Sequence, residues 1–217
     1  MRTQNAPRLL LLLIILFACE KVEQKDEIRW VSLEDISASI KEAPPMAVGF
    51  DVDDTVLFSS PGFHYGQWKY SPGSDDYMKK IEFWSEMNNG LDKYSIPKHC
   101  AEKLIALHKE RGDTIYFITA RTETETETVT DYLAEVFALE NPNKVIFTGY
   151  KHGENYKIKP IKDLNIQIYY GDSDTDIEAA QASGKRGIRI MRSENSTYRP
   201  HPRYGALGEE VLIDSGY

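Results

Sequence analysis

The chain has 217 residues, 41% of them hydrophobic and 28% charged, with a formal net charge of -8 and a pI near 5.2. That is enough apolar chain to bury the core of one ordinary domain, and it excludes global disorder. The acidic balance argues against binding polymeric nucleic acid, which needs a basic surface, but leaves small nucleotides open as ligands.

Arg2 and Arg8 precede an unbroken apolar run from Leu9 to Ala18. It is too short to span a bilayer but fits the core of a signal peptide over residues 1–19. The run ends Leu16-Phe17-Ala18-Cys19, which resembles a bacterial lipoprotein cleavage site, although Phe17 is larger than the usual residue there. The expectation is an exported, periplasmic protein whose only membrane contact is a lipid on Cys19; the alternative is cleavage nearby and a free Cys19. Cys100 is then the one remaining cysteine, expected as a buried small hydrophobe without a structural disulfide.

Residues 20–30 are charged and polar and read as a tether to a domain over 31–217. Ser32-Leu33-Glu34-Asp35 fits a capping box for a short helix that Pro44-Pro45 closes. Met46 to Phe50 is a continuous apolar run, the pattern of a central strand buried on both faces. Ser95-Ile96-Pro97 reads as a helix start, with Ala101, Leu104, Ile105 and His108 on one face and Gly112 as the stop. Strands are expected at 114–119, 144–148, 166–170 and 187–191, with helices at about 126–139 and 177–183. Alternating strands and helices imply an α/β fold with a mostly parallel sheet and right-handed crossovers. Thr122 to Thr128 alternates threonine with glutamate but lacks an apolar face, so it reads as a loop.

Residues 56–94 break the rhythm. They carry Pro61, Gly62, Gly66, Pro72, Gly73 and Gly90, and nine of the chain's 24 aromatic residues. A long irregular stretch inside a compact domain is more often functional than structural, so it reads as a cap beside a site, with some aromatics facing a ligand. A loop packed on its own aromatics is the alternative.

Four pieces carry chemistry. Asp51-Val52-Asp53-Asp54-Thr55 follows the buried strand directly, where ligand sites of open α/β sheets lie. Alternation points Asp51 and Asp53 the same way, and carboxylates that close need a cation or a shared proton. Gly171-Asp172-Ser173-Asp174-Thr175-Asp176 follows a second apolar strand, with Asp172 and Asp176 spaced to face one site; such oxygen-rich clusters suit magnesium. Asp176 also fits a helix cap. At the end of a third strand stand Thr119, able to donate a hydrogen bond to phosphate, and Arg121, able to add a charged fork. Finally, one lysine among Lys151, Lys157, Lys159 and Lys162 is needed to offset the repulsion between four carboxylates and a phosphate dianion.

The order D-x-D-x-T, Thr, Lys, G-D-x-x-x-D resembles the four motifs of the haloacid dehalogenase superfamily. More narrowly, FDVDDTVLFSSPGF, FITAR, YYGDSDTD and ENSTYRP are similar to bacterial class B acid phosphatases, over about residues 30 to 217. The resemblance implies a three-layer Rossmann-like sandwich with a small irregular or helical cap after the first core strand. It implies hydrolysis of phosphomonoesters with one magnesium ion (Mg2+) per subunit, and a homotetramer. Asp51 would be the nucleophile and become phosphorylated, and Asp53 the acid and base. Metal contacts would come from Asp51, the Asp53 carbonyl and Asp172, with Asp176 in or near that set; Thr119, Lys157 and Arg121 would hold phosphate. Lys157 is singled out by its spacing from Gly153. Phe63, Tyr77, Trp84 and Tyr198 match aromatic positions flanking the substrate, with Met78 beside them. Ala120 departs from the family's usual glycine, and a lipoprotein-like start departs from its soluble members.

No G-x-S-x-G, P-loop or tyrosine-phosphatase loop is present, and the five histidines show no metal spacing. The rivals are phosphoryl transfer to an alcohol at the same site, and a surface lipoprotein that binds nucleotides or nucleosides without turnover. Asp53 speaks against the second, because a binder has no need of the second carboxylate.

Overall fold

The computed structural model describes residues 27–217. The expected signal peptide, Cys19 and the first part of the tether lie outside the described residues. Where the tether was expected to run to residue 30, the chain instead enters the sheet as β1 (Arg29–Val31). Its partner is nearly the whole chain away, at the C-terminal strand, so no local pattern marks it. Among the described residues no helix is long and apolar enough to cross a membrane.

Helix α1 (Leu33–Ile40) starts as its sequence dictates. The Ser32 hydroxyl accepts from the Asp35 amide at 3.1 Å, and the Asp35 carboxylate accepts from the Ser32 amide at 2.9 Å. Such a cap contributes about 1 kcal/mol. β2 (Ala47–Phe50) follows, and then the cap opens with β3 (Leu57–Phe58), α2 (Ser60–Tyr70) and α3 (Ile81–Met87) and closes with β4 (Ile96–Pro97). β3 and β4 pair antiparallel and pin the two ends of the excursion together.

The core resumes with α4 (His99–Arg111), β5 (Thr114–Thr119), α5 (Val129–Val136), β6 (Ile146–Phe147), α6 (Ile158–Asp163) and β7 (Ile168–Gly171). It ends with α7 (Asp174–Ala182), β8 (Arg186–Arg189) and β9 (Glu210–Leu212). α4 is capped at Lys98 rather than Ser95, because Ile96 and Pro97 are taken by the hairpin with β3. It stops at Gly112, whose φ of +75° is the left-handed conformation a glycine adopts without strain. α7 begins before the expected Ile177, since Ser173 and Asp176 form their own capping box. α5 is shorter than expected, because the threonines ahead of it bond to the cap.

Among the described residues the main sheet has seven strands in the order β1-β9-β8-β7-β2-β5-β6, and every ladder is parallel. Two apolar clusters cover its faces. Val48, Phe50, Phe117 and Tyr170 pack against α1, α4 and α5, whereas Ile118 and Tyr169 pack against α6 and α7. This is the expected three-layer α/β sandwich. Cys100 is buried on α4, with its thiol 3.5 Å from the Ser215 carbonyl. Because β2 sits between β5 and β7, the carboxyl ends of all three strands converge at one place.

Candidate active site

Asp51 is the first residue past β2, and its amide still bonds to the Tyr170 carbonyl at 2.9 Å. The strand then ends. Val56 and Leu57 amides both return to the Val52 carbonyl, and Asp54 takes φ +59° to close the turn. The alternation expected to align Asp51 with Asp53 is therefore lost, and the two carboxylates face different neighbours.

Asp51 joins Asp172 and Asp176, all buried, with one oxygen from each lying within 4.8 Å of the others. The Thr55 hydroxyl bridges Asp51 (3.1 Å) and Asp172 (3.2 Å). Lys157 is 5% exposed and places Nζ 2.5 Å from Asp51 Oδ1 and 2.7 Å from Asp176 Oδ1. Of the four candidate lysines it alone enters the cluster; Lys151 and Lys159 pair with surface glutamate and aspartate. Asp176 serves twice, because its other oxygen accepts from the Ser173 amide and hydroxyl.

Burial, reinforced by Asp176, Asp172 and Asp53, pushes the Asp51 carboxyl well above the carboxylate range against the pull of Lys157. Burial also works against the Lys157 charge, but Asp176 and Asp51 outweigh it and hold the ammonium well above its usual value. Three buried carboxylates with oxygen donors only, short of balancing cations, suit a hard divalent ion. Asp51, Asp172 and Asp176 are the side chains able to hold one.

Asp53 is held by other partners. Arg121 Nε and Nη2 grip its two oxygens at 2.9 and 2.7 Å, and the Thr119 hydroxyl stands 3.4 Å away. Burial would raise Asp53, but Arg121 wins and holds it below the usual carboxylate range. Arg121 was expected to contact phosphate. In the structure its guanidinium is instead committed to Asp53 and Asp92, using four of its five N–H groups.

The aromatic expectation divides. Phe63, Tyr77, Met78 and Trp84 come together, but with Phe83 and Met87 as the cap's own apolar core, and Trp84 is only 7% exposed. The indole of Trp84 donates to the Met78 carbonyl at 2.7 Å. The self-packed alternative therefore describes most of this segment, since two helices need a core before they can present a face. Tyr77 links that core to the site: burial first, then Asp75, Tyr198 and Asp53, push its phenol up to about 12. Tyr198 is separate and half exposed, with the Arg192 guanidinium 4.6 Å over its ring.

Several contributors had no assigned role in the sequence reading. Arg192 Nη2 lies 2.5 Å from Asp172 Oδ2, and its Nη1 donates to the Tyr198 carbonyl at 3.0 Å. An arginine just past an apolar strand was the available signal. Asp92 had none, as it lies in an aperiodic segment 29 residues from Arg121. Buried Lys98 donates to the Asp54 and Met191 carbonyls, tying the turn after β2 to the segment after β8.

Comparison with known proteins identifies the family. Residues 21–201 match the family model described as HAD superfamily, subfamily IIIB (acid phosphatase). A class B acid phosphatase of Salmonella arizonae is 55% identical over 199 residues, covering 91% of this chain and 84% of that one. Another from a Rahnella strain is 52% identical with the same coverage. Among solved structures, a haloacid dehalogenase-like hydrolase of Streptococcus pneumoniae superposes with a TM-score of 0.52 at 13% identity, covering 79% of this chain and 95% of that one, which shows the shared fold. The chain belongs to the subfamily IIIB acid phosphatases of the haloacid dehalogenase superfamily, and is a phosphoric monoester hydrolase.

Proposed function

We propose that the protein hydrolyses organic phosphomonoesters by way of a phosphorylated Asp51. The observation that carries this reading is the pairing of a buried carboxylate held by an ammonium, Asp51 with Lys157, beside a second carboxylate, Asp53, aimed by a guanidinium. An Asp51 oxygen attacks phosphorus in line, and the ester P–O bond breaks. The proton on Asp53 passes to the departing alkoxide. Asp53 then takes a proton from water, the water oxygen attacks phosphorus, and the bond to Asp51 breaks, releasing phosphate. If an alcohol replaces that water, the same steps transfer the phosphoryl group.

Thr119 and Lys157 donate to phosphoryl oxygens in this scheme. Magnesium, held by Asp51, Asp172, Asp176 and the Asp53 carbonyl, would supply charge neutralisation of the phosphate. Arg121 holds Asp53 below the usual carboxylate range in the free enzyme, in the ionised form that takes the proton from water, and the phosphoryl dianion beside it favours the protonated form that the first step needs. A mildly acidic optimum follows from the family resemblance. The half-exposed ring of Tyr198 favours esters with a flat group, such as aryl phosphates and nucleoside monophosphates. Export, a lipid on Cys19, a periplasmic location and a homotetramer follow from the N-terminal pattern and the family resemblance.

The test is hydrolysis of p-nitrophenyl phosphate by protein lacking residues 1–19. Activity should vanish with EDTA, return with magnesium, and be absent in Asp51→Asn. A wild-type rate in Asp51→Asn refutes the nucleophile, and retention of substrate binding without turnover in the wild type supports the binding-protein alternative.

A further inference from the structure

We propose that Asp92, carried by the cap, is a positioning residue for the acid–base carboxylate: it fixes Asp53 through the plane of the Arg121 guanidinium. The inference rests on the acid–base role of Asp53 proposed above. Arg121 Nη1 and Nη2 each donate to one Asp92 oxygen at 2.8 Å, and Nε and Nη2 grip Asp53 at 2.9 and 2.7 Å. Nη2 belongs to both forks. A guanidinium is rigid and planar, so an aspartate on one edge sets the direction of the adjacent edge. Without Asp92, Arg121 keeps a single fork and can swing with Asp53.

The position of Asp92 is itself enforced. It sits in the short 3-10 helix Leu91–Tyr94 that closes the cap, with the Ser95 hydroxyl 3.5 Å from its Oδ1. Just before it, Asn88 and Asn89 are sewn to the segment that directly follows Arg121. Asn88 Nδ2 donates to the Thr122 carbonyl at 2.9 Å and to the Thr124 hydroxyl at 3.1 Å, and the Thr128 amide donates to the Asn88 carbonyl at 2.8 Å. Asn89 Nδ2 donates to the Thr126 carbonyl at 2.8 Å, and the Thr126 hydroxyl returns a bond to Asn89 Oδ1 at 3.0 Å. The alternating threonines thus form the cap's seam, and the seam and the Asp92–Arg121 fork share one end. A buried ion pair contributes little net stability after desolvation, so a cluster of two carboxylates on one guanidinium is better accounted for by the geometry it imposes.

The perturbation is Asp92→Asn, which preserves size and removes the charged fork. The assay compares kcat/KM for glycerol phosphate, whose alkoxide needs a proton to leave, with kcat/KM for p-nitrophenyl phosphate, whose leaving group does not. General acid catalysis is worth about a hundredfold or more, and misplacement of a catalytic group can remove a large part of that. The expected result is a loss on glycerol phosphate about tenfold greater than on p-nitrophenyl phosphate, with inhibition by inorganic phosphate unchanged within about twofold. Asn89→Ala, which cuts the same seam without touching Arg121, should leave the ratio of the two substrates as in the wild type. Asp92→Ser carries the same expectation and replaces Asp92→Asn should that variant fold poorly. Equal losses on both substrates, or a shifted ratio in Asn89→Ala as well, overturn the proposal. Asp53→Asn separates the two ideas. If Asp53→Asn shows the split and Asp92→Asn does not, only the positioning role falls; if neither shows it, the acid–base role of Asp53 falls too.

Discussion

Lys157→Met removes one charge from the centre of the site while keeping most of the side chain's length. In the wild type that ammonium is almost fully buried and touches two carboxylates, Asp51 and Asp176. A unit pair at about 4 Å is worth about 4 kcal/mol at an effective dielectric of about 20, and desolvation offsets much of it. Stripping one partner from a buried pair nevertheless costs about 3–5 kcal/mol, because the other charge stays buried and unpaired. Here the loss cannot much exceed that range, since Asp51 can take up a proton instead. For a domain of this size each kcal/mol lowers Tm by about 2–4 °C, so the variant should melt about 6–20 °C below the wild type at neutral pH in EDTA. Two controls identify the cause as charge. The deficit should shrink as pH falls and protonation of Asp51 relieves the cluster, and it should shrink when magnesium binds the folded carboxylates. Scanning calorimetry reads all three conditions. A deficit smaller than about 2 °C at neutral pH, or one indifferent to both pH and magnesium, would refute the reading of Lys157 as the counter-charge of the site.

Three further outcomes follow from the same geometry. Burial, then Asp172, raise Asp54 to about 6, so its contribution to stability is fully present below the unfolded value of 3.8 and is lost as pH rises through about 6. Asp54→Asn, at a left-handed position that asparagine accepts, should therefore raise Tm above pH 6 in EDTA and leave it unchanged near about pH 3.5; the opposite pattern sinks the argument. His108 is buried, with its ring nitrogens on Asp113 (2.7 Å) and the Tyr170 hydroxyl (2.9 Å), and burial lowers it below 6.5 despite Asp113. Its stabilising effect is present above 6.5 and fades as pH falls toward the folded value, so His108→Gln should flatten the acid side of the stability curve, as chemical denaturation across pH will show. Gly171→Ala would put a methyl 2.2 Å from the Asp176 Cβ, forcing the backbone of β7 apart from α7. A stability loss of about 1–3 kcal/mol with weakened magnesium binding by calorimetry is expected, and unchanged affinity would count against the Asp172–Asp176 spacing as a metal platform.

By itself the sequence picked out Asp51, Asp53, Asp172, Asp176 and Thr119 and placed them at strand ends. A buried apolar run followed at once by Asp51, a second by Asp172, and a third ending in Thr119 put these groups at the carboxyl ends of parallel strands, although only the sheet order makes those strands neighbours. That inference needs only strand periodicity and chain order. The caps at Ser32 and Gly112 were legible for the same reason, because their chemistry is confined to a few consecutive residues. Tertiary structure alone decided the rest. The cap reads as irregular because Gly62 and Gly66 interrupt it, yet both lie in a helix: a Cβ at Gly66 would meet Phe83 at 2.2 Å, so glycine there permits close packing rather than a turn. At one edge of the sheet β1 and β9 pair across almost the full length of the chain, so neither announces itself locally. The direction of each carboxylate is likewise a long-range property. Asp53 and Asp51 take different partners because the chain turns after β2 and because Arg121 and Lys157 reach them from distant segments. Electrostatic partners are chosen by distance in space, and a single chain read in order holds no record of that distance.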